Sequence, residues 1–520
     1  MLSPVGTLWR YRRGLSHFLE TPSTLDGARD RVGRALAARG PALADLLEQA
    51  VFRVPSSPYL PLFRAAGVDA AAARAAIERH GPEGALQAFF DAGVRVSIGQ
   101  FKGRQPLGGV DPAPEAFDNP LRNEHLPGMT SGSSGPRRRL LIDLGMVAHD
   151  ADCYEGFCDA FGIAGRRMAV WRPVPPDNSG LKKVLIRARS RRPVERWFSQ
   201  QPLRRTGADA KYWAFTAFTR RACRRRGYAF PAPEHVPLDR ADVVAHWLAD
   251  AAEAGAPAHL DTLVGAAVRV CLAARAAGRS ISGTFFRVGS EPLTAERARV
   301  IHEAGCRVGV HYSTSETGPI AMGCGDGEGD DDLHLLTSKI ALVADRGRSR
   351  ERPALYATTL LPSSPKLLVN VELGDAAAVR QRACACTLGR WGFHTHLQYV
   401  RSYEKLTGDG VTFLGCDLVR LLDEILPRAL GGAPGDYQMQ EGDEGGVPAV
   451  SLVISPRVGV VDETRVGALV LEHLASRDAG HQLMAAIWRQ GRTLRIVRAD
   501  PVATTSGKVP PIGRIDTHAR

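Results

Sequence analysis

The chain has 520 residues, and 44% hydrophobic with 23% charged side chains describe a globular protein long enough for two to four domains with sizeable cores. No run of 18 apolar residues occurs, which excludes a transmembrane helix, and nine thinly spread cysteines do not make a disulfide framework. The net charge of +12 invites a nucleic-acid partner through RARSRRPVER (187–196) and RRACRRRG (220–227), yet only eight of the 67 basic residues are lysine and no DNA- or RNA-binding motif accompanies them. We read the arginine excess as a GC-rich coding bias, with neither nucleic acid nor membrane as partner. Such a surface equally favours anionic small molecules. The first twenty residues lack an apolar h-region, so a cytoplasmic location is expected.

Residues 1–116 are rich in Ala, Arg and Leu at helical spacing and read as a helical leading segment. From FDNPL (117–121) strands, turns and helices alternate, the texture of an α/β body. TSGSSGPRR (130–138) carries no hydrophobic face of either period and is a loop; its glycines, hydroxyls and arginines suit a phosphate chain, although no Gly-Lys-Ser/Thr closes it. HLDTLVGAAVRVCLAARAAG (259–278) reads as an amphipathic helix, SISGTFFRVG as a strand, EPLTAERARVIHEAG as a helix and CRVGVHYS as a strand. GCGDGEGDDD (323–332) reads as an exposed acidic loop. LLVNVELGD (367–375) is an apolar strand closed by Gly374-Asp375.

After residue 401 a smaller unit follows. LVRLLDEILPRAL puts Leu418, Leu421, Leu422, Ile425 and Leu426 on one helical face. PAVSLVIS is a strand, TRVGALVLEHLAS a helix and RTLRIVRA a strand, with GGAPGD and EGDEGG as turns. WAFTAF (213–218) and the phenylalanines 285 and 286 read as core in preference to pocket lining.

Four further stretches acquire meaning from their order: FFRVGSEPLT (285–294), HYSTSETG (311–318), LLVNVELGD and PVATTSGKVPPIGR (501–514). Taken singly, Glu316 starts a turn, Asp375 is a turn residue and Lys508 is solvated. Taken together over residues 117–515, they resemble the acyl-adenylate-forming (AMP-binding) superfamily, and within it the phenylacetate–CoA ligase-like branch. The resemblance implies an α/β fold: a large N-terminal domain with mixed sheets (1–116 its helical segment, 117–400 the AMP-binding body) and a small mobile α+β lid (401–520). It implies that Thr130, Ser131, Ser133, Ser134 and Gly135 hold the ATP β/γ-phosphates, with Arg137 where the family has lysine. Gly289, Ser290 and Glu291 correspond to the adenine-side segment. Tyr312 would stack on adenine, Ser315 contact the α-phosphate and Glu316 bind Mg2+; Ser313 and Ser315 replace the family's glycine and threonine. Asp375 and Arg401 would contact ribose, and Lys508 would close over the reaction centre.

The implied activity is that of an acid–thiol ligase: ATP-dependent activation of a carboxylic acid through an acyl-adenylate, pyrophosphate leaving, then acyl transfer. A carboxylate attacking the α-phosphorus builds negative charge that Mg2+, donor-rich loops and a mobile lysine stabilise. The expected acceptor is a thiol, coenzyme A or a carrier protein in trans, with an amine acceptor or a non-catalytic nucleotide-binding relative as alternatives. Asp409 before Gly410 departs from the family's basic-Gly hinge pattern, which leaves coenzyme A open.

Cys324, His334 and the pair Cys384/Cys386 offer three thiolates and one imidazole, a closed set suited to structural Zn2+. Relatives in the resembled branch carry a Cys/His set at these places; free thiols and a lone histidine are the competing reading. His394 and His396 read as packing residues.

Overall fold

A computed structural model describes residues 4–103, 105–108, 112–123, 126–129, 139–207, 210–347, 350–402, 405–408, 411–414, 421–432, 435–444, 447–476, 479–502 and 512–514. The leading segment is helical from Pro4–Glu20 to Ile98–Phe101. Its helix starts are set by side-chain caps: Thr24 accepts from the Gly27 N–H and Asp69 from the Ala72 N–H, each satisfying a donor that the first turn leaves open. The segment is locked to the body, where the Tyr59 hydroxyl donates to the Leu367 carbonyl at 2.7 Å and the Val96 N–H to the Asn370 carbonyl at 3.0 Å.

A first antiparallel hairpin joins β1 (Leu126–Met129) to β2 (Arg139–Ile142). The central sheet then contains β3 (Met168–Trp171), β4 (Arg196–Ser199), β5 (Pro233–His235), β6 (His259–Leu263), β7 (Phe285–Gly289), β8 (Arg307–Thr314), β9 (Gly318–Gly323), β10 (Leu333–Leu335), β11 (Ile340–Asp345), β12 (Ala354–Thr359), β13 (Val371–Gln381) and β14 (Thr395–Ser402). Their order is β11-β12-β13-β14-β10-β9-β8-β7-β6-β3-β4-β5. Strands β3 to β8 pair in parallel, whereas β8 pairs with β9 antiparallel, so the sheet changes character at β8. Both faces of the parallel half are covered. Phe286 and Val288 belong to one core and Phe285 to the other, where it meets Phe157 and Phe161. Each such aromatic contributes about 1.5–3 kcal/mol by leaving water. Phe285 and Phe286 are therefore core, as expected.

HLDTL is a correction: it is strand β6, every residue buried, and the helix begins only at Val264. A strand covered on both faces loses the alternation that would have marked it, and its apolar run merged with the helix that follows. LLVNVELGD also differs. Its strand does not close at Asp375 but continues to Gln381, past a register shift between Ala376 and Ala378. In GCGDGEGDDD the ends are buried, Cys324 and Asp332 both. EGDEGG is strand through Glu444.

The C-terminal residues form a hairpin of β15 (Lys405–Gly408) and β16 (Val411–Leu414), then a sheet of β17 (Tyr437–Glu444), β18 (Val447–Ile454), β19 (Leu494–Arg498) and β20 (Ile512–Arg514) in the order β19-β18-β17-β20. Helix Glu463–Ala475 buries Val466, Val470 and Leu474, which recur every four residues along one face. Leu421, Leu422 and Leu426 are fully buried as the helical spacing required, and Leu418 lies outside the described residues. Arg269 of helix Val264–Ala276 donates to the Gly491 carbonyl at 2.8 Å, tying this unit to the body. Among the described residues no helix is long and apolar enough to cross a membrane.

Candidate active site

Seven of the expected site residues, Thr130, Ser131, Ser133, Ser134, Gly135, Arg137 and Lys508, lie outside the described residues. Gly289, Ser290, Glu291, Tyr312, Ser315, Glu316 and Asp375 gather around the carboxyl ends of β7 and β8, where the sheet changes from parallel to antiparallel pairing. Such a change in strand connection leaves a crevice suited to ligands.

Gly289 ends β7. A side chain there would come within 2.6 Å of the His311 ring and carbonyl, so only glycine lets β7 and β8 approach this closely. Ser290 adopts a left-handed φ of 71°, a strained backbone for serine, and its hydroxyl accepts from Arg172 at 3.3 Å. Glu291 is buried and accepts the Gly265 N–H at 2.7 Å, in the first turn of helix Val264–Ala276. Tyr312 sits on β8, and its hydroxyl donates to the Asp375 carboxylate at 2.6 Å. In a flat sheet these strands, four positions apart, would be separated by roughly 19 Å. The antiparallel half therefore curls over the end of the parallel half, and that curl brings Tyr312 and Asp375 together.

Ser315 and Glu316 occupy the turn between β8 and β9. Glu316 is paired at 2.7 Å with Lys102, just after helix Ile98–Phe101. Gly318 closes the turn at φ +69°, and a side chain there would meet the Asp150 carboxylate at 2.9 Å. Arg401 is opposite Ala376 while Ser402 is opposite Asp375, so strand alternation sends Arg401 and Asp375 to different faces. The Arg401 guanidinium donates to its neighbour's Val400 carbonyl at 2.8 Å.

Cys324, His334, Cys384 and Cys386 form a cluster whose donor atoms all lie within 4.8 Å of one another. The sulfur pairs are 3.4, 3.6 and 3.9 Å apart, and His334 Nε2 is 3.0 Å from Cys386 and 3.4 Å from Cys384. A tetrahedron with metal–sulfur bonds of ~2.3 Å has edges of about 3.8 Å, so the donor set fits a metal ion. His334 Nδ1 faces the Phe393 carbonyl at 2.7 Å, which fixes the tautomer and leaves Nε2 as donor atom. Contact with Cys324, then with His334 and the Gly389 N–H, pulls the Cys386 thiol far below the ordinary range.

His396, read as packing, also pairs with buried Asp332 at 2.7 Å, and its ring lies tilted against that of His334 with centroids 4.2 Å apart. Arg382 reaches the same Asp332 at 2.5 Å. Burial pushes the Asp332 carboxyl up, and His396, the backbone and Arg382 overcome this to hold it at about 2. Lys102, Asp332 and Arg382 escaped sequence reasoning because their partners are 50 to 214 residues away.

No family model matches the sequence, and no curated protein matches it. Among solved structures, a 2-hydroxyisobutyryl-CoA ligase in complex with 2-HIB-AMP and CoA is similar at 14% identity and a TM-score of 0.51, covering 93% of this chain and 90% of that one. An o-succinylbenzoate CoA synthetase from Bacillus subtilis gives 11% identity, 75% and 69% coverage and a TM-score of 0.43. The amide bond synthetase McbA from Marinactinospora thermotolerans gives 14%, 92% and 93%, and 0.42. The first likeness establishes the fold: a mixed α/β body with the architecture of an acyl-CoA synthetase.

Proposed function

We propose that this protein is an adenylate-forming ligase of the phenylacetate–CoA ligase-like kind. It activates a carboxylic acid with ATP, releases pyrophosphate and passes the acyl group to a thiol, either coenzyme A or a carrier protein. The observation that carries the reading is the meeting of Tyr312 with Asp375 beside the Glu316 turn, which unites two motifs some sixty residues apart in sequence at one crevice. In this reading Tyr312 and the Gly289–Glu291 segment hold the adenine, Asp375 the ribose, and Ser315 with the 130–137 loop the phosphates, whereas Arg401, on the other face from Asp375, is not given the ribose contact that the resemblance implied. Mg2+ at Glu316 would neutralise charge building on the phosphates. Lys508, carried on a lid spanning 401–520, bridges the carboxylate and the α-phosphate. Residues 1–116 and 117–400 make up the large domain. Cys324, His334, Cys384 and Cys386 hold a Zn2+ that staples β9, β10 and the segment before β14; with four protein ligands it has no open position and serves structure alone. The solved ligase of the same fold, with its acyl-AMP and CoA, supports the choice of thiol. Lys508→Ala tests the reading: adenylation should be crippled with the melting curve unchanged, and near-normal turnover would refute the role given to this lysine.

A further inference from the structure

Under the turn that carries Ser315 and Glu316 lies a buried ion pair drawn from two other elements. Helix Leu144–Ala160, the element directly after β2, supplies Asp150, and the segment between β10 and β11 supplies Lys339. The two are 3% and 1% exposed, and the Lys339 ammonium donates to Asp150 Oδ1 at 2.5 Å. It also donates at 2.8 Å to the carbonyl of Thr317, the residue next to Glu316. The other carboxylate oxygen packs on the same turn, since a side chain at Gly318 would come within 2.9 Å of Asp150 Oδ2. Across the turn the Thr314 and Thr317 hydroxyls meet at 2.9 Å. One residue earlier on both elements, His149 Nε2 meets the Ser338 hydroxyl at 2.8 Å, so helix and segment are joined at two successive positions. The segment is anchored from behind as well, where the Lys339 carbonyl accepts the Leu360 N–H at 2.9 Å.

A buried ion pair adds little stability by itself, because taking both charges out of water offsets most of their attraction. Apolar side chains of similar volume would fill the space equally. They would not supply the bond to the Thr317 carbonyl, which fixes a backbone atom one residue from Glu316. Resting on the adenylation reading above, we propose that Lys339, held by Asp150, is a positioning residue: it sets the turn between β8 and β9 so that Glu316 presents its carboxylate to the Mg2+ that accompanies ATP. Lys339 itself touches neither nucleotide nor metal in this role. Its effect passes through the turn backbone and is read in the Mg2+ requirement, apart from the affinity for ATP alone.

The test compares the full wild-type chain with Asp150→Leu/Lys339→Met and with Asp150→Asn. The double variant removes both charges together, so no unpaired ion stays buried. The readouts are melting temperature, calorimetric ATP binding with Mg2+ or with EDTA, and ATP–pyrophosphate exchange over a Mg2+ series with pooled aryl, fatty, amino and dicarboxylic acids. The double variant should melt close to the wild type and bind ATP equally in EDTA. It should need about tenfold more Mg2+ for half-maximal exchange, the scale of one hydrogen bond to a charged group. Asp150→Asn is nearly isosteric and carries the test if the double variant does not fold; by loosening Lys339 it should raise the Mg2+ requirement about two- to threefold. A wild-type Mg2+ curve in either folded variant overturns the proposal and leaves adenylation standing. Mg2+-dependent ATP binding that weakens in the variants, with no exchange from any acid, supports the positioning role and sinks the adenylation reading. A wild type with neither Mg2+-dependent ATP binding nor exchange overturns both.

Discussion

Replacing Cys384 by alanine separates a metal centre from a cluster of free thiols, because the two differ in magnitude. A bound metal stabilises the folded chain by RT ln(1 + [L]/Kd), about 4 kcal/mol when free metal stands a thousandfold above Kd. Losing one of four ligands removes most of that. Without a metal, Cys384 is a half-buried small side chain, and its truncation costs about 1 kcal/mol or less. The geometry favours the larger figure: three sulfurs at 3.4–3.9 Å match tetrahedral edges, and His334 is held in the ligating tautomer. The assay is metal content by mass spectrometry with urea unfolding, each with and without EDTA. We expect one equivalent of zinc in the wild type and almost none in Cys384→Ala. The variant should be about 3–4 kcal/mol less stable, and EDTA should reproduce that loss in the wild type alone. A metal-free wild type with Cys384→Ala within about 1 kcal/mol of it would refute the zinc assignment.

Two further outcomes follow from the charges. Lys102 competes with any cation for Glu316, so Lys102→Met should lower the half-saturating Mg2+ concentration in pyrophosphate exchange about three- to tenfold, the worth of an ion pair near 1 kcal/mol; an unchanged Mg2+ curve would detach Glu316 from the metal. Burial, helped by Lys339, lowers His149 to about 4, and burial also holds His259 and His311 well below the usual histidine range. The unfolded chain, titrating near 6.5, then binds protons that the native state refuses, so stability is full above pH 6.5 and falls as the pH drops toward 4. Each histidine contributes a slope of up to about 1.4 kcal/mol per pH unit. Urea midpoints that stay flat from pH 7 to 5 would contradict this.

The residues that meet at the crevice were legible in the sequence, since glycines, hydroxyls and acids at strand ends are local features. Gly289, Tyr312 and Glu316 could be found because each closes or follows an apolar run. The Cys/His set was legible because thiols at close spacing are few. The ion pair under the Glu316 turn was not, because Asp150, Lys339 and Thr317 come from three separate elements and lie together only after the sheet has formed. The same holds for Lys102, whose helix meets the Glu316 turn only through the docking of the N-terminal segment. Strand β6 was misread for a related reason: burial on both faces erases the pattern that separates strand from helix.

The central claim, that this protein adenylates a carboxylic acid, is tested most directly by ATP–pyrophosphate exchange with pooled aryl, fatty, amino and dicarboxylic acids. It requires no knowledge of the acceptor. The account predicts label entering ATP with at least one pool, and loss of that signal in Lys508→Ala. Folded protein that binds ATP yet gives no acid-dependent exchange with any pool would contradict it.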